Sequence, residues 1–290
     1  MPEPPLIRSY LYAPGSKPAV MEKALRSDAD AVILDLEDGV APADKRAARD
    51  QVTAMLARSG AVAGLELHVR INRGPDGPDL DDLASVTLPG LTGIRLPKVA
   101  GAQELRSVGT TLDRLERSAG LTPGAVMLYP TIESAAALLA LSEIAGAPRV
   151  ARLAFGATDF LADIGSPGSP DGPATAVVRG MLVLVSRAAG IGAPVDSVHT
   201  KLEDDDGLRR GARLARELGF FGKSVIHPRQ IAAVHEVFTP SALELGDARA
   251  VLEHALGHGE GASARDGQMI DAAVLARARR VVALGERERR

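Results

Sequence analysis

Two carboxylates, Glu133 and Asp159, stand at matching places in successive strand–helix units. Val126-Met127-Leu128-Tyr129 and Val150 to Phe155 are apolar runs of the length that a buried strand takes. The first is followed by Pro130-Thr131-Ile132-Glu133-Ser134 and the second by Gly156-Ala157-Thr158-Asp159, and Ala135 to Ala145 between them reads as a helix. If the two strands are parallel neighbours, both acids emerge at one edge of the sheet, where α/β folds place their chemistry. The chain has no Cys and no His cluster near these acids, so the pair suits a hard, oxygen-preferring cation such as Mg²⁺. Each acid also has a duller explanation. A carboxylate that opens a helix is favoured by the macrodipole without any ligand.

Other expected strand ends carry polar groups as well: Asp35, Glu37 and Asp38, then Arg70 and Asn72, then Lys98, Thr158 and His227. Polar residues at the carboxyl ends of barrel strands read as catalytic more often than those elsewhere. Taken singly, Asp38-Gly39 could be a turn, and Arg70 and Lys98 could pair with the acids as a structural network. Their convergence on one rim is what favours a site.

The elements that must position these groups alternate. Strands are expected at Tyr10–Ala13, Ala31–Leu36, Leu65–Ile71, Gly93–Val99, the two runs above, Gly190–Val195 (a weak one) and Gly222–Ile226. Helices fall between them: Lys17–Ser27, Asp44–Arg58 with Asp44 as N-cap, Asp79–Val86, Gln103–Ser118, Ala174–Ala189, Gly207–Leu218 and Arg229–Val237. Eight such units match the α/β (β/α)₈ TIM barrel, which takes ~250 residues. The expected organisation is a catalytic barrel over residues 1–238 and a C-terminal helical extension or lid over residues 239–290. Gly165 to Pro173 is too rich in Gly and Pro for regular structure; just past Asp159, it reads as a mobile loop over the site or as an exposed connector. A Gly-rich break from Gly257 to Gly267 interrupts the extension.

Composition narrows the partners. The chain has 290 residues, a net charge of −3 and 46% hydrophobic residues, as an ordinary soluble globular protein has. There is no basic surplus to meet phosphates, and aromatics make up 3% with no Trp, so nucleic acid is excluded as the main partner. The absence of Cys rules out thiol catalysis and fits the cytoplasm. Met1-Pro2-Glu3-Pro4-Pro5 lacks the pattern of a signal peptide, and no apolar run nears the ~20 residues that span a bilayer. His254 and His258 read as solvated surface, and Gly257 to Gly261 resembles a phosphate loop without the strand that should precede it.

Five motifs carry a resemblance. Tyr10-Leu-Tyr-Ala-Pro-Gly-Ser16, Ala29-Asp-Ala-Val-Ile-Leu-Asp-Leu-Glu-Asp-Gly-Val40, Pro130-Thr-Ile-Glu133, Phe155-Gly-Ala-Thr-Asp159 and Gly222-Lys-Ser-Val-Ile-His-Pro228 resemble, in order, the citrate lyase beta subunit family. That family belongs to the HpcH/HpaI aldolase group and includes malyl-CoA and citramalyl-CoA lyases. The resemblance implies a barrel, Mg²⁺ dependence, and reversible carbon–carbon cleavage of an acyl-CoA to a 2-oxo acid, in a homotrimer or a dimer of trimers. It implies Glu133 and Asp159 as metal ligands, Arg70 facing the reacting carbonyl, and Glu37 and Asp38 supporting the metal's water shell. The backbone of Ala157, Thr158 and Asp159 would hold the substrate carboxylate. Lys17 and the turn from Gly222 to Pro228 would contact CoA. Asp271 resembles an acid that a neighbouring subunit's C-terminal lid supplies. Four other readings stay open: a Schiff-base aldolase using Lys98; a subunit acting on a citryl-carrier-protein thioester in a complex; an aldolase on free hydroxy-oxo acids; and a non-catalytic binding barrel.

Overall fold

The computed structural model describes residues 6–60, 64–258, 262–265 and 267–287. The stretch Met1 to Pro5 and the middle of the Gly257–Gly267 break lie outside the described residues, as does the side chain of His258. The chain divides into two compact units, Ile7–Val234 and His235–Arg290 together with the N-terminal residues.

In the larger unit seven parallel strands form one sheet: β1 (Ser9–Pro14), β2 (Ala31–Asp35), β3 (Glu66–Arg70), β4 (Gly93–Leu96), β5 (Met127–Ile132), β6 (Ala154–Phe155) and β7 (Lys223–Val225). Their order is β6-β5-β4-β3-β2-β1-β7, so β1 to β6 are neighbours in chain order and β7 returns beside β1. Parallel bridges from Val195 to Ala154 and from Asp196 to Lys223 join the two edges and close the curled sheet into the expected barrel. A helix-bearing crossover separates each pair of parallel strands, as parallel pairing requires. β2 shows why: Ala-Val-Ile-Leu-Asp is buried throughout, as it must be in a strand covered on both faces. The helix Asp205–Leu218 buries Leu208, Gly211, Ala212 and Ala215 at helical spacing on its barrel-facing side.

The barrel interior is polar and aromatic. The Tyr10 ring lies 5.8 Å from His68 and 6.5 Å from Tyr129, centroid to centroid. Between them the fully buried Arg95 guanidinium stacks 4.5 Å from the Tyr10 centroid and 5.0 Å from that of Tyr129. Burial pushes the His68 pKa down to about 4, so this ring adds no second charge beside Arg95. Gly93 of β4 leaves the space for these rings, because a Cβ there would come within 2.7 Å of both His68 and Tyr129.

Several expectations are corrected. Residues 190–194 form no strand, and the seventh barrel position is held only by the bridges of Val195 and Asp196. Asp44 occupies the N-cap position of Lys45–Ser59 but has helical φ and ψ and makes no capping bond, because a short 3₁₀ turn (Pro42–Asp44) leads into the helix. The fifth strand does not stop at Tyr129 but runs on through Pro130 to Ile132. Ser134 then caps the next helix, its Oγ accepting from the Ala137 N–H at 3.2 Å. Glu133 therefore ends a strand and opens no helix.

The smaller unit holds the helices Ala242–His258 and Ala272–Arg287, which pack together, and an antiparallel hairpin pairing Ser263–Arg265 with Gln268–Ile270. A Cβ on Gly285 would come within 3.0 Å of Leu245 Cδ1, so the two helices approach closely there. Asp271 caps the last helix, its Oδ1 accepting from the Val274 N–H at 3.0 Å. Among the described residues no helix is long and apolar enough to cross a membrane.

The interior packing carries a prediction. Gly93→Ala should destabilise the protein by about 1–3 kcal/mol, since two packed rings must shift for one methyl group. Chemical denaturation would measure it, and an unchanged midpoint would contradict this account of the interior.

Candidate metal centre and active site

At the end of β2 the Asp35 carboxylate, 2% exposed, accepts four hydrogen bonds. Arg70, at the paired position of β3, gives it Nε at 2.6 Å and Nη2 at 2.7 Å. The amides of Glu37 and Gly39, each at 2.9 Å, supply the other two. Gly39 must be glycine for this wrap, because a Cβ would collide with Asp35 Oδ2. Lys45 fixes the same loop from the following helix, donating to the carbonyls of Leu36 at 2.7 Å and Glu37 at 2.5 Å. Arg70 is thus held by a two-point fork, its Nη1 left 2.9 Å from Glu37 Oε2 and its Cζ 4.9 Å from the Tyr12 ring centroid. Burial opposes its charge, but the Asp35 bonds outweigh that, and the guanidinium pKa stands raised.

Across the rim, Glu133 at the end of β5 is buried, and it lies within electrostatic reach of the exposed Asp159, in the first turn of the helix Ala157–Asp163. Burial first, and then the Asp159 charge, push the Glu133 pKa up to about 8. The Lys98 amide opposes this by donating to Glu133 Oε2 at 2.9 Å. Gly156 passes against the same side chain, where a Cβ would come within 2.7 Å of Oε1. Lys98 Nζ reaches Glu37 Oε1 at 2.5 Å and Asp38 Oδ1 at 3.5 Å. Burial pulls the Lys98 pKa down, the Glu37 hydrogen bond and charge pull it up, and the net direction is up. A Schiff-base lysine needs the opposite shift.

Asp35, Asp38, Arg70, Glu133, Thr158 and Asp159 line one cavity of about 400 Å³, together with Tyr12, Thr131, Ser197 and Ser224. Glu37 borders it through its contacts with Arg70 and Lys98. Ala157 is buried behind Thr158, and its amide is already engaged, donating to Ser197 Oγ at 3.2 Å. Lys17 is exposed, just ahead of the helix Pro18–Leu25. Asn72 turns away, its amide and side chain both donating to Asp82. His227 caps a 3₁₀ turn through the Arg229 N–H. The loop from Gly165 does not cover this cavity. Thr175 Oγ1 and Arg179 Nη1 each donate to the Pro170 carbonyl at 2.8 Å, and residues 169–171 line a second cavity beside Arg210 and Gly211.

Asp35 was legible only as one more strand-end acid; its role needed the register that sets it opposite Arg70. Ser197 was missed because no apolar run announces the bridges of Val195 and Asp196 that place it. Among the described residues no three His, Cys, Asp or Glu side chains converge on one point that could hold a metal. A buried carboxyl, Glu133, raised by burial and by the nearby charge of the solvent-exposed Asp159, nonetheless fits with it a divalent oxygen-ligated cation that completes its shell with water and substrate oxygens.

A parallel barrel whose strand ends bring a carboxylate pair to face a clamped arginine defines a class of barrel enzyme with its site at the carboxyl rim. The chain belongs to the HpcH/HpaI aldolase/citrate lyase family, whose profile matches residues 8–228. It is 36% identical to the citrate lyase subunit beta of Leuconostoc mesenteroides subsp. cremoris, over 96% of this chain and 93% of that one. It is 35% identical to a (3S)-malyl-CoA thioesterase of Cereibacter sphaeroides, covering 96% and 94% of the two chains. Among solved structures it is similar to the CitE protein of Mycobacterium tuberculosis in complex with magnesium, acetoacetate and coenzyme A. The TM-score is 0.80 at 30% identity, over 97% of this chain and 98% of that one.

The raised Glu133 carboxyl predicts how the metal-free protein responds to pH. In this window the folded state binds a proton that the unfolded state, at the ordinary 4.5, has lost, so stability falls as pH rises from 4.5 to about 8. Urea denaturation across that range should show a steeper fall for the wild type than for Glu133→Gln. Identical slopes would contradict the burial and apposition described above.

Proposed function

We propose that this protein is a Mg²⁺-dependent carbon–carbon lyase. It cleaves, or forms, a 3-hydroxyacyl-CoA such as malyl-CoA, citramalyl-CoA or citryl-CoA, giving acetyl-CoA and a 2-oxo acid. The observation that carries this reading is the pair of the buried Glu133 and the exposed Asp159, set in one cavity with the clamped Arg70. Family membership and the malyl-CoA and citrate lyase relatives support it.

Glu133 and Asp159 would hold the ion, with Glu37 and Asp38 accepting hydrogen bonds from its water shell. Magnesium, when bound, supplies Lewis-acid polarisation of the substrate's hydroxyl or carbonyl oxygen. Cleavage breaks the bond between the α and β carbons; the hydroxyl proton is lost, and the bonding pair passes to the thioester as an enolate. Arg70, always charged and fixed by Asp35, meets the developing negative oxygen without reorganising. With the Ala157 amide engaged by Ser197, the amides of Thr158 and Asp159 are the ones left to face a substrate carboxylate. Asp271, carried by a neighbouring copy's C-terminal lid in a trimer or a dimer of trimers, would exchange a proton at the enolate carbon. Lys17 and the turn from Gly222 to Pro228 lie on the proposed CoA path. The barrel over residues 1–238 does the chemistry, residues 239–290 supply the lid, and the cysteine-free chain fits the cytoplasm.

A second reading has its own observation. Likeness to a citrate lyase subunit beta favours a thioester carried on a protein rather than on free CoA.

The test is the purified chain with the three CoA thioesters, with Mg²⁺ and with EDTA. Release of acetyl-CoA from one of them, abolished by EDTA and by Asp159→Asn, is the expected result. Metal-independent release trapped by borohydride would move the chemistry to Lys98, and turnover only of carrier-protein thioesters would support the second reading.

A further inference from the structure

Lys98 has a backbone that its residue type does not favour. Its φ is 51°, and among the described residues only Arg149 shares a positive φ without being glycine. At Arg149 local contacts account for the conformation: its guanidinium is tied to Glu116, Asp113 and the Val126 carbonyl, away from the catalytic rim. Lys98 is about half exposed, and its bonds all run to acids of the catalytic rim. A left-handed lysine is sterically disfavoured, and such residues persist where the surrounding structure needs the direction they give.

Both ends of Lys98 point at acids of the catalytic rim. The left-handed turn sends its N–H to Glu133 Oε2 at 2.9 Å, and its side chain spans back to Glu37 Oε1 at 2.5 Å and Asp38 Oδ1 at 3.5 Å. Glu133 ends β5, whereas Glu37 and Asp38 follow β2, on the far side of β3 and β4. One residue thus ties the carboxylate pair to the acids opposite it. We propose that Lys98 is a positioning residue, held in a strained backbone conformation in order to orient Glu133 through its amide and Glu37 through its ammonium. This rests on the metal reading above and adds a role that needs neither nucleophilic nor acid–base chemistry from the lysine.

The strain gives a signature that an ordinary structural contact would not produce. Glycine relieves a left-handed φ, whereas alanine keeps the strain and loses only the ammonium. Lys98→Gly should therefore melt higher than Lys98→Ala, by roughly 2–4 °C. Mn²⁺ binding, read by electron paramagnetic resonance on the full-length protein, should run the other way. Lys98→Ala should weaken it several-fold and Lys98→Gly further still, because the amide loses its fixed direction, while Lys98→Arg restores it to near wild type. A glycine variant less stable than the alanine one, or one binding Mn²⁺ as tightly as the wild type, would overturn the proposal. If the wild type itself bound no Mn²⁺, the metal reading would fail instead, while the melting order would still report the strain.

Discussion

One buried carboxylate sets the geometry on which the rest of the site depends. Asp35 takes two bonds from a guanidinium and two from backbone amides, and so satisfies itself at the sheet's edge without solvent. The same four bonds fix the plane of Arg70 and the path of the chain from Leu36 to Gly39. Charge-assisted forks of this kind are about twice as strong as neutral hydrogen bonds, and removing one partner leaves a buried charge at a cost of about 3–5 kcal/mol. The parallel register makes the arrangement possible by placing Asp35 directly opposite Arg70.

From that anchor the site builds outward as a balance of charge. Glu37 borders Arg70 on one side and Lys98 on the other, and Lys98 carries the connection on to Glu133. The acids on this rim outnumber the cations. The excess includes Glu133 and Asp159, which line the same cavity and repel one another electrostatically, and a hard divalent ion bound between them would relieve that repulsion. The barrel interior below stays neutral at His68 and holds the buried Arg95 guanidinium between aromatic faces.

How much of this was legible in the sequence depends on what each residue's signal is. Strand-end logic alone brought Asp38, Arg70, Glu133 and Asp159 to one cavity, because apolar runs followed by polar clusters locate the carboxyl ends of barrel strands. The same logic over-reached at Asn72 and His227, which end strands but turn into local bonds. The length of β5 was hidden by Pro130, since proline ordinarily argues against a central strand; here it sits in register opposite Leu96 and the strand continues. The Ser197 position was hidden for the opposite reason: Gly190 to Pro194 lacks strand character, and closure rests on two bridges that only the folded barrel brings together. The φ of Lys98 leaves no mark in composition or spacing, because lysine does not announce a left-handed turn.

The claim that Asp35 acts by holding Arg70 is open to one direct measurement. A double-mutant cycle of Asp35→Asn and Arg70→Met, read as kcat of Mg²⁺-dependent thioester cleavage, separates orientation from independent contribution. Arg70→Met should cost about 10²–10³-fold, as loss of a preorganised donor to a developing oxyanion does. Asp35→Asn should lose a comparable part of that, and the double variant should be no slower than Arg70→Met alone. Losses that multiply would contradict the account, since they would mean that each residue contributes to the reaction independently of the other.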